Sequence, residues 1–262
     1  MPHPAVPENR LRARLAAGET VIGCMVVEFR QASLMGLLAD AGLGFTIIDT
    51  EHGAFSIESV AELSRAGRDK GVTPIVRIPE LTYAHVTQAL DSGGQGIMLP
   101  RVTDPEQVRF CLECMKYTPA GRRGVVLSRG HTMFRGGPLR EYLDAMNRET
   151  VLVVQIETRE ATERVDEILA VPGVDAALVG PTDLSVALGV PGKMDDPVLV
   201  EAIERVMASC AAHQVVPAIH TNDVATTAMW ARRGMRLVSI NSEVGLLMAG
   251  VRAAVQEIGG RS

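Results

Sequence analysis

The sequence predicts an α/β protein built as a (β/α)8 TIM barrel, and three observations carry that prediction. Eight short apolar runs recur along the chain with helical segments between most of them. Such strand–helix alternation implies a parallel sheet with right-handed crossovers. The runs are near-continuous in apolar residues, as strands buried on both faces must be. Eight such units in 262 residues match the length of a barrel, with a doubly wound open sheet as the main rival. No linker, internal repeat or low-complexity segment divides the chain, so residues 1–262 are expected to form one domain.

The elements follow in order. The first run is Val21–Glu28 and the second Phe45–Asp49. The helix predicted over Ser56–Lys70 places Ile57, Val60, Ala61 and Leu63 on one face, at the spacing of a 3.6-residue turn. Pro74–Ile78 and Gly96–Pro100 are the third and fourth strands. Pro105–Lys116 reads as an amphipathic helix carrying Cys111 and Cys114. Without a second cysteine or histidine pair at zinc spacing, these are two packed thiols. Thr118–Pro138, rich in Gly and Arg, breaks the rhythm. A connection this long is usually functional, and Arg122–Gly137 is expected to fold over the strand ends or into a subunit contact. A helix near Leu139–Arg148 precedes the fifth strand, Val151–Glu157, and Asp175–Pro181 is the sixth. Pro197–His213 is a helix marked by Val198, Val200, Ile203, Val206 and Met207. Val215–His220 and Arg236–Ile240 complete the eight. Val244–Ile258 is an apolar helix that buries one face at home or in a partner, through Leu246, Leu247, Val251, Val255 and Ile258.

Composition excludes several function classes. A net charge of −5 argues against nucleic acid or an anionic membrane as the main partner. No apolar run approaches the roughly 18 residues of a membrane span. The opening Met-Pro-His-Pro-Ala-Val-Pro-Glu-Asn lacks the basic and apolar regions of a signal peptide, and four cysteines do not make a disulfide framework. A cytoplasmic protein is expected.

The informative residues close the strands. Val151-Leu-Val-Val-Gln-Ile-Glu157 ends in an acid, and Asp183 follows in Leu178-Val-Gly-Pro-Thr-Asp-Leu184. Barrels place their chemistry at the C-terminal ends of strands, so these two carboxylates could share one hard divalent cation. Asp49, Glu51 and His52 follow the second strand, Arg77 lies near the end of the third, and Gln155 stands just before Glu157. A guanidinium inside an apolar strand needs an anionic partner, either Asp49 or Glu51 or a substrate carboxylate. Asp49 is also a candidate for orienting the imidazole of His52.

Five stretches now resemble one family: Ile48-Asp-Thr-Glu-His52, Pro74-Ile-Val-Arg77, Leu90-Asp-Ser-Gly-Gly-Gln-Gly-Ile-Met-Leu-Pro100, Val153-Val-Gln-Ile-Glu157 and Val179-Gly-Pro-Thr-Asp-Leu-Ser185. In order and spread along the chain, they resemble the metal-dependent (class II) pyruvate aldolases. That family includes 4-hydroxy-2-oxoheptanedioate aldolase and the 2-keto-3-deoxy sugar acid aldolases. The resemblance implies a phosphoenolpyruvate/pyruvate-type barrel that cleaves a 4-hydroxy-2-oxo acid to pyruvate, or a close 2-oxo acid, and an aldehyde through an enolate held at a divalent cation (Mg2+, Mn2+ or Co2+). It implies Glu157 and Asp183 as the metal ligands, and Gln155, Gly180, Pro181, Thr182 and Asp183 as contacts to the pyruvyl group. It further implies His52 as proton acceptor, Arg77 as the substrate contact that stabilises the enolate, and Asp91 as an aspartate raising the basicity of that histidine. Hexamers built by exchanging the C-terminal helix between subunits are also implied.

A Schiff-base aldolase needs a lysine at the strand ends, and the only lysines, Lys70, Lys116 and Lys193, lie on helix ends or in a loop. The chain departs from the family at Thr182, where Ala is frequent, in Ser239-Ile-Asn-Ser-Glu-Val-Gly245, where many members have Gly-Ser-Asp, and in Arg129-Gly-His-Thr-Met-Phe-Arg135. These departures bear on the aldehyde side and not on the metal or pyruvyl site. No Gly-rich phosphate cradle follows the last two strands, which disfavours a phosphorylated substrate. The alternatives are an acyl-CoA lyase of the citramalyl- or malyl-CoA type and a catalytically inactive metabolite-binding barrel. The first would need a basic surface, of which Arg122–Arg123 is the clearest trace.

Overall fold

The computed structural model describes residues 8–127, 129–134 and 137–259. Its elements run α1 (Arg10–Ala16), β1 (Val21–Val26), α2 (Ser33–Asp40), β2 (Phe45–Asp49), α3 (Ile57–Lys70), β3 (Thr73–Arg77), α4 (Tyr83–Asp91), β4 (Gly96–Leu99), α5 (Pro105–Met115), α6 (Leu139–Glu149) and β5 (Val151–Ile156). Then follow α7 (Arg159–Glu163), α8 (Val165–Leu169), β6 (Ala176–Val179), α9 (Pro181–Ala187), α10 (Pro197–His213), β7 (Val216–Thr221), α11 (Val224–Arg232), β8 (Leu237–Ser242) and α12 (Glu243–Gly259). The strands close into a barrel in sequence order, every neighbour parallel, with β8 pairing β1. The open-sheet alternative is thereby excluded.

Strand parity explains both the apolar runs and the position of the site. Side chains alternate across a strand, so one set fills the barrel: Val21, Met25, Phe45, Ile47, Ile75, Met98, Val153, Leu178, Ala218 and Leu237. The other set, including Val26, Ile48, Val76, Ile97, Leu152, Val154 and Val179, packs outward against the helices. Continuing the inward parity by two residues from Ile47, Ile75 and Val153 brings Asp49, Arg77 and Gln155 to the C-terminal mouth. The opposite end is plugged by α1, which periodicity did not reveal. Leu11 is buried in the interior set, and its N–H donates to Thr73 Oγ1 at 3.2 Å. Filling that end apolar side chain by apolar side chain is worth about 1.5–3 kcal/mol for each large one.

Helix boundaries follow ordinary capping. Ser56 accepts from Ser59 N–H at 3.3 Å to start α3, and Gly71, at φ 82°, ends it in the left-handed region. Asp104 and Gln107 form a capping box on α5, and Asp196 caps α10 at Val198 N–H. Such caps contribute about 1 kcal/mol each.

The long connection between β4 and β5 does not fold over the C-terminal strand ends. Helix α5 runs back to the N-terminal face, and the segment after it packs there against the ends of α3 and α4. His131 is buried between the carbonyl oxygens of Asp91 (3.2 Å) and Val126 (3.1 Å), and Arg68 Nη2 donates to the His131 carbonyl at 2.9 Å. The reason is topological: a helix following a barrel strand returns the chain to the opposite face. Residues 128, 135 and 136 of the expected loop lie outside the described residues.

Candidate active site

At the C-terminal mouth side chains from β3, from α9 and from the segments that follow β2, β4 and β5 face one chamber of about 210 Å3. Glu51, His52, Arg77, Glu157 and Asp183 line it, together with Arg101 and Thr158. Its size is below the roughly 300–1,000 Å3 of drug-sized sites and suits a small organic acid.

Arg77 is held by two acids. Its Nε and Nη2 donate to the two carboxylate oxygens of Asp49 at 2.9 and 2.5 Å, a bidentate fork that a planar guanidinium favours. Nη1 reaches Glu51 Oε2 at 3.2 Å. Both structural partners suggested by the sequence are thus engaged at once. Burial would raise the Asp49 carboxyl, yet the Arg77 hydrogen bonds and charge hold it below its ordinary value. The pair fixes one face of the guanidinium and leaves the group at the chamber wall.

The Asp49 carboxylate makes no hydrogen bond to the imidazole of His52. Its Oδ1 accepts the backbone N–H groups of Glu51 at 3.0 Å and His52 at 3.2 Å, so it shapes the turn that carries the histidine. The His52 side chain is 71% exposed, and its Nε2 stands 3.9 Å from Glu51 Oε2. That leaves the ring open to a substrate or a water.

Glu157 is 6% exposed. Its Oε1 accepts the backbone N–H of Arg101 at 2.9 Å and its Oε2 accepts Gln155 Nε2 at 2.5 Å. Arg101 adopts φ 53° to present that amide, a left-handed conformation uncommon for a residue with a side chain. Burial pushes the Glu157 carboxyl up to about 7, with Asp183 and Glu51 adding to the shift against the Arg101 amide. Asp183 sits in the first turn of α9, after Gly180 and Pro181. A Cβ at Gly180 would lie 3.1 Å from Gln155 Nε2 and 3.2 Å from Glu157 Oε2, so the bare glycine keeps a space beside the carboxylate. Gln155 Oε1 is buried without a hydrogen-bond partner. The amides of Thr182 and Asp183, in the first turn of α9, have no intrahelical acceptor.

This arrangement fits a hard divalent cation. Its donors are carboxylate oxygens: Glu157 is buried while Arg77 is taken by Asp49 and Glu51, which makes the Glu157 charge costly without a counter-ion, and Asp183 stands exposed at the rim. No group of three or more His, Cys, Asp and Glu side chains gathers tightly among the described residues. Two protein carboxylates, Glu157 and Asp183, would therefore leave several coordination positions to substrate and water.

Asp91 is not brought to this chamber within one chain. It ends α4 on the N-terminal face and pairs with the fully buried side chain of Arg123 at 2.5 Å. The position between a helix and the next strand is itself a signal of that face. No lysine lines the chamber, and Lys116 Nζ is spent on the carbonyl oxygens of Asn147 and Thr150, both at 2.8 Å. Glu51 as a second anchor of Arg77 was offered by the sequence only as an alternative. The Arg101 amide was not legible, because a backbone donor carries no residue signature.

Residues 24–248 match the HpcH/HpaI aldolase/citrate lyase family. The chain is 30% identical over 241 residues to a hydroxypyruvate/pyruvate aldolase of Agrobacterium fabrum (strain C58 / ATCC 33970), covering 91% of this chain and 89% of that protein. It is 29% identical over 252 residues to the 5-keto-4-deoxy-D-glucarate aldolase of Escherichia coli (strain K12), covering 95% of each. A solved HpcH/HpaI aldolase from Desulfitobacterium hafniense DCB-2 superposes with a TM-score of 0.91 at 34% identity, over 95% of this chain and 96% of that one. With the barrel, the ordered motifs and this match in agreement, the chain belongs to the HpcH/HpaI aldolase/citrate lyase family and is an aldolase.

Proposed function

We propose that this aldolase reversibly cleaves a 4-hydroxy-2-oxo acid to pyruvate, or a close 2-oxo acid, and an aldehyde, at the chamber bounded by His52, Arg77, Glu157 and Asp183. The observation that supports it most is the buried Glu157 carboxylate beside a bare-backbone cradle at Gly180, next to a guanidinium already fixed by Asp49. Glu157 and Asp183 would hold a divalent cation, which would supply a Lewis acid for the charge that develops on the 2-oxo group. The substrate carboxylate is received by the Thr182 and Asp183 amides at the start of α9, where helix N-termini favour anions, while Gly180 and Pro181 keep the approach open and Gln155 contacts the pyruvyl group.

When the C3–C4 bond breaks, its electron pair moves to C3 and delocalises onto the C2 oxygen. The 4-hydroxyl proton goes to His52, directly or through a water, as C4 becomes the aldehyde carbon. Arg77 sets fixed positive charge beside the enolate oxygen. Because Asp49 and Glu51 already hold the guanidinium, it needs no reorganisation as the charge appears. C3 then takes up a proton, returned from His52 directly or through a water, to give the oxo acid. A histidine suits the proton transfer, because its ordinary pKa lies close to neutrality.

The acyl-CoA alternative loses its support. Arg122 pairs with Glu113 and Arg123 with Asp91, both on the face opposite the chamber. An inactive barrel is disfavoured by the intact set of four residues around one space. The protein is further read as a homo-oligomer, a hexamer by family resemblance. Helix α12 buries Glu243 alone, whereas Leu247, Met248, Val251 and Val255 are exposed and Ile258 is 88% exposed. An apolar stripe of that length favours burial against another copy. No helix among the described residues is long and apolar enough to cross a membrane, and the cytoplasm is the proposed location. Pyruvate release from a panel of 4-hydroxy-2-oxo acids, before and after chelation, tests the reading. Activity should vanish on chelation, return with Mn2+, Co2+ or Mg2+, and fail to return in Glu157→Ala or Asp183→Ala. Full activity in thoroughly metal-stripped protein would sink it.

A further inference from the structure

Glu243 opens α12 and is buried. Its carboxylate accepts three consecutive backbone N–H groups. Oε1 takes Glu28 at 2.6 Å and Phe29 at 2.9 Å, and both oxygens lie 3.0 Å from the Val27 nitrogen. Successive amides turned to one point form an anion-binding nest, and here the chain fills the nest with its own acid. This also ends β1 at Val26, short of the Glu28 expected from the apolar run, because the amides after it serve Glu243 and not a neighbouring strand.

The clamped segment touches the loop that carries His52. Arg30, the next residue, donates from Nη2 to the Ala54 carbonyl at 2.9 Å. A Cβ at Gly53 would fall 2.9 Å from the Val27 carbonyl oxygen and 2.3 Å from that of Asp49, so the two loops meet where only glycine fits. Gly53 and Ala54 directly follow His52. Among the described residues the exposed imidazole has no hydrogen bond, with Glu51 at 3.9 Å, so its aim depends on the backbone beneath it.

We propose that Glu243 is a positioning residue for His52, acting through the amides of Val27, Glu28 and Phe29 and their packing on Gly53 and Ala54. One carboxylate thereby sets both the point where α12 leaves the barrel and the aim of the proton acceptor. The proposal rests on the role given to His52 above.

The test uses the full-length, Mn2+-loaded enzyme with Glu243→Ala and Glu243→Gln. Glu243→Ala should lower kcat by about 10–10²-fold, the scale of a misplacement near 1 Å, with KM and Mn2+ affinity little changed. Amide hydrogen exchange should rise together at Val27–Phe29 and at Gly53–Ala54. Glu243→Gln keeps a carbonyl oxygen for the amides and should recover most of the turnover. In His52→Ala/Glu243→Ala, kcat should fall no further than in His52→Ala alone, since two residues acting through one step do not add. Effects that multiply, or faster exchange at Val27–Phe29 with turnover untouched, would overturn the proposal. If His52→Ala by itself leaves kcat unchanged, the fault lies with the His52 assignment. Should Glu243→Ala fail to fold, Glu243→Gln and Arg30→Ala, which cuts the Ala54 link alone, carry the same measurements.

Discussion

Arg77→Lys keeps the positive charge of the chamber and removes the fork that holds it. Arg77 binds both oxygens of Asp49 and reaches Glu51 with a third nitrogen, whereas an ammonium is a flexible point charge that cannot reproduce a planar set of donors. At least two charge-assisted hydrogen bonds are lost, at about 1.5–3 kcal/mol each, and Asp49, 1% exposed, is left half-paired. The fold should lose about 3–5 kcal/mol, the range for breaking a buried pair. For a chain of this size that corresponds to a melting point lower by roughly 6–20 °C. If Arg77 also supports the enolate, turnover should drop by about 10²-fold or more, as when an oxyanion donor is removed. Mn2+ affinity should be retained, because neither carboxylate ligand changes. Exchange of the pyruvate methyl protons with solvent deuterium, followed by NMR at a temperature where the variant is folded, isolates the enolate step from aldehyde binding. Exchange at the wild-type rate with only carbon–carbon cleavage slowed would make Arg77 an acceptor-side or structural residue. An unchanged melting point would refute the structural half.

His52→Ala should lower turnover by roughly 10²–10⁴-fold, the range for a positioned acid–base group, while stability moves by no more than about 0.5 kcal/mol, as for an exposed side chain; loss of Mn2+ binding would reassign the residue as a ligand. Borohydride with pyruvate should leave mass and activity unchanged, since no lysine faces the chamber, and a reduced pyruvyl adduct detected by mass spectrometry would overturn the metal-dependent class. Asp49 is held below its ordinary value of 3.8. A carboxyl depressed in the fold adds stability that is complete above its unfolded pKa and is lost as pH falls through its folded one. Thermal melts below pH 3.8 should therefore fall more steeply for wild type than for Asp49→Asn, and parallel acid limbs would remove the Arg77–Asp49 pair from that account.

The eight strands and the residues at their ends were legible from the sequence alone. A barrel strand is buried on both faces, so a charged side chain it carries is forced towards an end, and Asp49, Arg77, Gln155 and Glu157 stand out against apolar neighbours. Asp91 was expected beside His52 by resemblance alone, although its place between a helix and the next strand marks the opposite face. What sequence spacing suggested for Asp49 was different. Three residues before His52 it could have met the ring, but the carboxylate is spent on a guanidinium from the next strand and on two backbone amides. Helix α1 and the Glu243 clamp needed the folded chain. The first is a helix of about two turns that pays its way only by plugging a barrel already closed. The second joins Glu243 to Val27, 216 residues apart, through amides that no residue type announces. Such contacts exist because β8 closes against β1, and closure is a property of the whole barrel that no local stretch of sequence encodes.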